Sequence, residues 1–342
     1  MIAVEYHDDL KEVQSDPSLM ALLSPAQADA PFDRIAWWQL LREHCGLGGK
    51  LAIARDGDCL AVLPLAMANG RMESLSNWYT FRFRPILSNS SGADACLEAI
   101  AQDLANETNR IVLSGVPDED GSASRVERAF KRMGWFVSRE QCDTNHVLQV
   151  RGRTWDEYHA GLPGKLRTTL KRKTMKIECR IVEHFDEDMW RAYEAIYAQS
   201  WKPEEGSPDF LREFSRQEGN AGRLRLATAH AADGSFDGEA IAAQMWTVEG
   251  CAAFIHKLAH REDAKPLSPG SVLSAALFRH VIEKDEVGLV DFGTGDDAYK
   301  RDWMEEVRPR YRLDMMRPLS PRNWLIFAKT GLQRLAGRSE GS

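Results

Sequence analysis

The same order of elements is written twice along this chain: strand-like runs joined by turns, a loop, an amphipathic helix and then an apolar strand. In the first half KLAIARDG and CLAVLPLAMANG read as two strands, and the Asp56-Gly57 turn between them favours a hairpin. A short segment RMESLSNW, a loop, a helix from about Ala93 to Glu107 and the apolar run RIVLSGV come next. The helix SASRVERAFKRMG and strands around WFVSRE and HVLQV complete this half. In the second half a helix near MWRAYEAIYAQSW precedes three strands, RLRLATAHAADG, EAIAAQMWTVEG and CAAFIHKLAH, separated by glycine turns. The loop KPLSPG then leads into the helix SVLSAALFRHVIEKD and the strand GLVDFGTG. Strands joined by tight turns before a helical crossover make a mixed α/β sheet, not a doubly wound parallel one. The segments FRPILSNSSGADACLEAIAQDLANETNRIVLSGVP and DAKPLSPGSVLSAALFRHVIEKDEVGLVDFGTG share this layout, so a duplicated domain is expected.

A chain of 342 residues suits two domains. The expected division is 1–150, 151–320 headed by a basic segment at 163–176, and a closing amphipathic helix with a frayed tail at 321–342. The helix expected over 31–45 (PFDRIAWWQLLREHC) carries Ile35, Trp38 and Leu41 on one face. No run approaches the ~18 apolar residues that cross a bilayer, and MIAVEYHDDLKEVQ lacks the regions of a signal peptide, so a cytoplasmic protein is expected. Six scattered cysteines, with no CxxC pair, suggest reduced thiols and neither a disulfide framework nor a metal site. A net charge of −7 argues against a surface that coats nucleic acid, and no DNA partner is expected. The local exception is PGKLRTTLKRKTMK, in which Lys165, Arg167, Lys171, Arg172, Lys173 and Lys176 occur without an acid. It is either a cleft wall gripping an anionic substrate, such as a nucleotide sugar, a carrier-protein arm or a tRNA end, or a solvated helix face.

The chemistry concentrates between Cys251 and Lys300. After the strand ending HKLAH, Ser268-Pro269-Gly270 opens a helix at about Ser271; Pro269 suits a helix start and Gly270 lets backbone approach a ligand. Free N–H groups there, with the positive end of the helix dipole, form a site for a phosphate or pyrophosphate, to which Lys257, His260, Arg261 and Lys265 add charge. The next strand delivers DFGTGDDAYKRDW, placing Asp291 at the rim of the sheet with Tyr299, Lys300 and Trp303 close behind. These supply a carboxylate, a phenol and an ammonium for proton transfer and charge stabilisation; the bland alternative is a Gly-rich turn with an Asp cap and a buried Trp. In the alternating strand, His256 is a second base candidate or a satisfied histidine. Trp190, Tyr193, Tyr197 and Trp201 line an acceptor pocket or simply pack the core.

HKLAHREDAKPLSPGSVL followed by VDFGTGDDAYKRDW, preceded by SWK at 200–202 and by PGKLRTTLKRK, resembles the GNAT-type acyltransferases of the BioF2-like, or cellulose-biosynthesis-protein-like, group. PFDRIAWWQLL is similar to that group's opening. The group is related in fold to the FemABX aminoacyltransferases, which carry tandem GNAT-like domains. The resemblance implies that the pyrophosphate of an acyl-coenzyme A, acetyl-coenzyme A first among them, lies on Leu267, Ser268, Pro269, Gly270, Ser271 and Val272, with Lys257 alongside. The usual Gln/Arg-x-x-Gly-x-Gly/Ala loop is reduced here to Gly270. It also implies direct transfer to an amine or hydroxyl of a small-molecule or polysaccharide-related acceptor. Asp291 or His256 would take the proton, Tyr299 would protonate the leaving thiolate, and Lys300 or backbone N–H groups would hold the oxyanion. Lys165, Arg167, Arg172, Trp201, Lys202 and Trp303 would contact substrate. Two rivals stand beside it: aminoacyl transfer from charged tRNA as in FemABX, and a non-catalytic binding protein with the same fold.

Overall fold

The computed structural model describes residues 2–68, 70–200, 202–318 and 320. The closing helix expected over 321–342, and Trp201, lie outside the described residues. Elements run β1 (Ala3–His7), α1 (Leu10–Gln14), α2 (Pro17–Leu22), α3 (Ile35–Cys45), β2 (Gly49–Asp56), β3 (Cys59–Ala68), β4 (Arg71–Ser74), β5 (Ile86–Leu87), α4 (Ala93–Glu107), β6 (Arg110–Val116), α5 (Ser122–Arg132) and β7 (Phe136–Gln149). They continue α6 (Trp155–Gly161), α7 (Gly164–Lys173), β8 (Ile177–Val182), α8 (Glu187–Ala198), α9 (Pro208–Asn220), β9 (Leu224–Ala231), β10 (Ala240–Glu249), β11 (Ala252–His260), α10 (Pro269–Glu283), β12 (Leu289–Thr294) and β13 (Glu306–Met316).

Two compact units result, one of residues 2–24, 47–143 and 309 onward, the other of Pro25–Gly46 and Thr144–Arg308. In the first, β1, β2, β3 and β4 pair antiparallel in sequence, and α4 crosses over to β6, which lies parallel to β4. In the second, β8, β9, β10 and β11 pair antiparallel, and α10 crosses over to β12, parallel to β11. Each first strand is followed by a helix pair, α1–α2 or α8–α9. The expected duplication is therefore present as topology, in a mixed α/β sheet in each unit. The hairpin between β2 and β3 closes at Asp56 opposite Cys59, so its two-residue loop is Gly57-Asp58, with Gly57 at φ +58°. The left-handed backbone that this turn needs falls on the glycine, one residue later than the dipeptide suggests.

The division is not a single cut near 150. Helix α3 belongs to the second unit, where Trp37 meets Phe210 and Phe214 edge-on at 5.0 and 5.1 Å and Phe32 meets Phe254 at 5.8 Å. From residue 309 the chain returns to the first unit and β13 pairs with β6. The runs WFVSRE and HVLQV form one strand, β7, because the polar EQCDTN between them is strand rather than turn, exposed at Glu140, Gln141 and Cys142 and buried again by Asn145. Its second half pairs with β12, Asp291 opposite Val147.

Each unit has its own core. In the second, α10 turns Leu273, Leu277, Phe278 and Val281 inward at helical spacing. Phe278 stacks on Trp303 (4.9 Å, 2°) and meets Trp246 edge-on at 5.1 Å. Trp190 and Tyr193 are fully buried on α8. Their helical spacing is thus core packing, as is that of Trp303, whose backbone carbonyl accepts a 2.6 Å bond from Tyr158.

Candidate active site

In the second unit β11 and β12 are partners over only three positions, Ala252–Leu289, Ala253–Val290 and Phe254–Asp291. Beyond them β11 runs on to His260, still paired with β10, and β12 to Thr294, still paired with β7, but the two do not pair with each other, so they part along their facing edges. At the end of β12, Gly293 (φ +72°) and Gly295 (φ +92°) take left-handed conformations that a side chain would strain. Asp291, only 5% exposed, accepts hydrogen bonds from Gly293 N (2.8 Å) and Asn145 Nδ2 (3.1 Å). It therefore braces the Gly-rich turn.

Lys300 lies under this turn. Its side chain is almost wholly buried, and Nζ donates to the carbonyls of Thr294 and Gly295, with Asp297 Oδ2 at 3.9 Å. Behind it, His146 on β7 is fully buried, and its Nε2 stands 3.5 Å from Asp296. Burial first, then Lys300 and Arg301, hold the imidazole pKa below its ordinary value, against the pull of Asp296. Tyr299 meets Phe292 edge-on at 5.5 Å, and burial with Asp297 pushes its phenol up to about 12. It is protonated at neutral pH.

From the other strand, Lys257 Nζ is 2.7 Å from Glu205, whose carboxylate also accepts from Tyr193 OH at 3.4 Å. Lys202 completes the group. Burial, then the charges of Lys257 and Lys300, pull its ammonium down to about 8 although Glu205 and Asp297 oppose them. Lys202 should therefore be the lysine most readily acetylated in trace labelling with acetic anhydride at pH 7, with a titration midpoint near 8 against about 10.4 for ordinary lysines. A midpoint near 10 would show that this environment does not exist in solution.

The helix start keeps the form expected of it. Ser268 is left-handed (φ +54°), Pro269 opens α10, and the first helical bond runs from Val272 N to Ser268 O, leaving the Gly270 and Ser271 N–H groups ahead of it. Gly270 has no positive φ, and a Cβ there would meet nothing nearer than the His260 ring at 3.6 Å. The fold does not demand glycine at this position, and its bareness leaves room for a ligand to reach backbone. Val272 is instead buried, and Gly270 O accepts from Gln244 Nε2 at 3.1 Å.

The cations expected to flank this loop are occupied. Lys257 is bound to Glu205, Arg261 to Asp263 and Glu239, and Lys265 stands 3.8 Å from Glu262, while burial keeps the His260 pKa low. His256 also departs from expectation. Adjacent strand residues face opposite ways, and its ring sits among Phe32, Phe214 and Phe254 with Nε2 2.8 Å from Thr247 Oγ1. Burial, reinforced by Lys257 and Arg34, pushes its pKa down to about 3. Lys165, Arg167 and Arg172 are exposed on α7, whose apolar side buries Leu166 and Leu170. The structure thus groups Asp291, Tyr299, Lys300, Lys202 and Lys257, and turns His256 and Trp303 into the core. Sequence reasoning missed Asn145, His146 and Glu205. The signal for the first two was a polar pair heading the apolar strand HVLQV.

Among the described residues no cluster of His, Cys, Asp or Glu could hold a metal, and no helix is long and apolar enough to cross a membrane. Four antiparallel strands, a crossover helix and a parting pair of parallel strands define a GNAT unit, and residues 164–301 match the family profile described as Acetyltransferase (GNAT) domain. Residues 164–301 are thus similar to a GNAT domain, and the first unit repeats their strand order and crossover. In fold the chain is similar to FemX (TM-score 0.61, 11% identity, covering 94% of this chain and 99% of that one). It is similar too to L-PGS from Bacillus licheniformis (TM-score 0.53, 12% identity, covering 89% and 97%). A third likeness is to the C-terminal domain of a putative lysylphosphatidylglycerol synthetase from Agrobacterium fabrum (TM-score 0.53, 12% identity, covering 83% and 89%). No curated protein matches the chain by sequence.

Proposed function

We propose that this chain is an acyltransferase of the BioF2-like kind, moving an acyl group, acetyl first, from acyl-coenzyme A to an amine or hydroxyl of a small-molecule or polysaccharide-related acceptor. The observation that carries the reading is the parting of β11 and β12, with Gly270 and Ser271 N–H groups after one strand and Lys300 after the other. A thioester entering the gap would find backbone donors for its carbonyl, and its pyrophosphate would lie on the start of α10. In a ternary complex the acceptor nitrogen or oxygen attacks the carbonyl carbon. The new C–N or C–O bond forms as the C–S bond breaks, and the sulfur leaves as a thiolate. Lys300 and the backbone N–H groups would hold the oxyanion, and Tyr299, protonated below its pKa of about 12, gives the thiolate its proton. Lys202, with a pKa of about 8, is the group best matched to take the acceptor's proton at neutral pH. Asp291 then holds the turn.

A second reading, aminoacyl transfer from tRNA, draws on FemX and L-PGS as fold neighbours and on α7, where Lys165, Arg167, Lys171 and Arg172 have no carboxylate within 4.0 Å among the described residues.

Thermal stabilisation separates the two. At a hundredfold excess over Kd a native-state ligand adds about 2.7 kcal/mol, enough for a shift of several degrees. Acyl-coenzyme A is expected to produce that shift in the parent chain and to lose it in Gly270→Trp. Salt-sensitive binding of tRNA with no response to any coenzyme A compound would overturn the first reading in favour of the second.

A further inference from the structure

A second concavity lies away from the parting strands. Helices α7 and α10 and the start of β8 enclose a groove of about 1010 Å³, at the upper end of the range for small-molecule sites. Its α10 wall runs over about 10 Å of helix from Val272 to Arg279, with the small residues Ala275 and Ala276 at its middle. Trp155 closes one end, and Met175, 87% exposed, forms an apolar lip left in water. No aspartate or glutamate lines it. Arg167 and Lys171, one helical turn apart on α7, do line it, and among the described residues neither has a carboxylate within 4.0 Å; Arg167 Nε donates to the Leu162 carbonyl at 3.0 Å. In the same unit Arg153, Arg212, Arg223, Arg225 and Arg261 are all paired with carboxylates.

We propose that this groove binds a single-chain anionic amphiphile, an alkyl chain lying along Ala275 and Ala276 with its carboxylate or phosphate held by Arg167 and Lys171. Charge and shape select this occupant together. A nucleic-acid backbone would use the cations and leave the apolar floor in water. A neutral apolar ligand would use the floor and leave two cations without a carboxylate or other anion. The site is independent of the thioester reading, since it needs neither Lys300 nor the loop at Gly270.

Calorimetric titration with dodecyl phosphate below its micelle concentration tests the proposal, with inorganic phosphate and neutral dodecyl maltoside as controls. Saturable binding at one site per chain is expected, with neither control matching it. Ala275→Trp, which fills the groove, and the pair Arg167→Glu with Lys171→Glu, which reverses its charge, should each weaken binding by at least about tenfold, the scale of a lost charge-assisted bond. The charge variants alter exposed side chains, so they keep the test decisive where the tryptophan variant fails to fold. Absence of saturable binding overturns the proposal. So does equal binding of either control, affinity unchanged by charge reversal, or a charge-reversed chain that loses only tRNA binding.

Discussion

Lys300→Met is expected to lower acyl transfer by roughly 10²–10³-fold, the usual cost of removing one donor that stabilises a developing oxyanion. The substitution keeps the length and apolar body of the side chain and removes the ammonium, which stands 5.7 Å from the Phe292 ring centroid. Because Nζ also ties the carbonyls of Thr294 and Gly295, the variant will lose some stability, and the two effects have to be separated. Release of free thiol from acetyl-coenzyme A in the presence of an amine panel reads the chemistry. The thermal shift with coenzyme A reads whether the donor site survives. Turnover lost with the coenzyme A shift retained assigns Lys300 to the reaction; both lost together makes it a brace for the Gly-rich turn. Turnover unchanged removes it from the mechanism altogether. Lys300→Arg should not restore activity, since a planar guanidinium does not fit the point-charge position between two carbonyls.

Local patterns made much of this architecture legible. Helix α4 falls at Ala93–Glu107 as its apolar spacing suggests, β6 coincides with an apolar run, and β9, β10 and β11 coincide with runs separated by glycine turns. The duplication was readable because each αβ crossover is written contiguously. Elements whose reason for existing is distant were not readable. Strand β1 forms because Ala3–His7 finds β2 across residues 51–55. Helix α9 was not readable from sequence, since Phe210 and Phe214 signify a face only once Trp37 is set against them. At the site, the spacing within DFGTGDDAYK delivered Asp291, Tyr299 and Lys300. It could not say that Asp291 would be consumed by Asn145 and Gly293, or that Glu205 would neutralise Lys257. His256 misled for a related reason: alternation in a strand marks two faces without saying which of them is lined with phenylalanine.

The least legible feature is a buried charge cluster in the second unit, and it sets the pH dependence of stability. Arg34 reaches Glu218 and Glu249, both at 3.0 Å, and Arg223 meets Glu218 at 2.7 Å; the Arg34 and Glu218 side chains and Glu249 are almost completely buried. Two carboxylates share one buried guanidinium, and burial, with Glu218 and Asp33 adding to it against Arg34 and Arg223, raises the Glu249 carboxyl to about 7. In the unfolded chain it titrates near 4.3. Between those values the native state holds a proton that the unfolded state has released, so acid favours the native state and stability falls as pH rises from about 4.5 to 7. The span corresponds to about 3 kcal/mol at 1.36 kcal/mol per unit. Glu249→Gln carries a neutral group of the same shape, with Arg34 still paired to Glu218. The variant should be no more stable than the parent at pH 5 and should gain on it steadily, reaching its full advantage above pH 7. Urea unfolding of both chains at pH 5, 6, 7 and 8 measures the difference directly, with contributions from every other titrating group cancelling between them. A difference that stays flat across the four values would mean that Glu249 is ionised throughout and that Arg34 compensates both carboxylates. The cluster would then be a fixed ion network tying α3 to its unit.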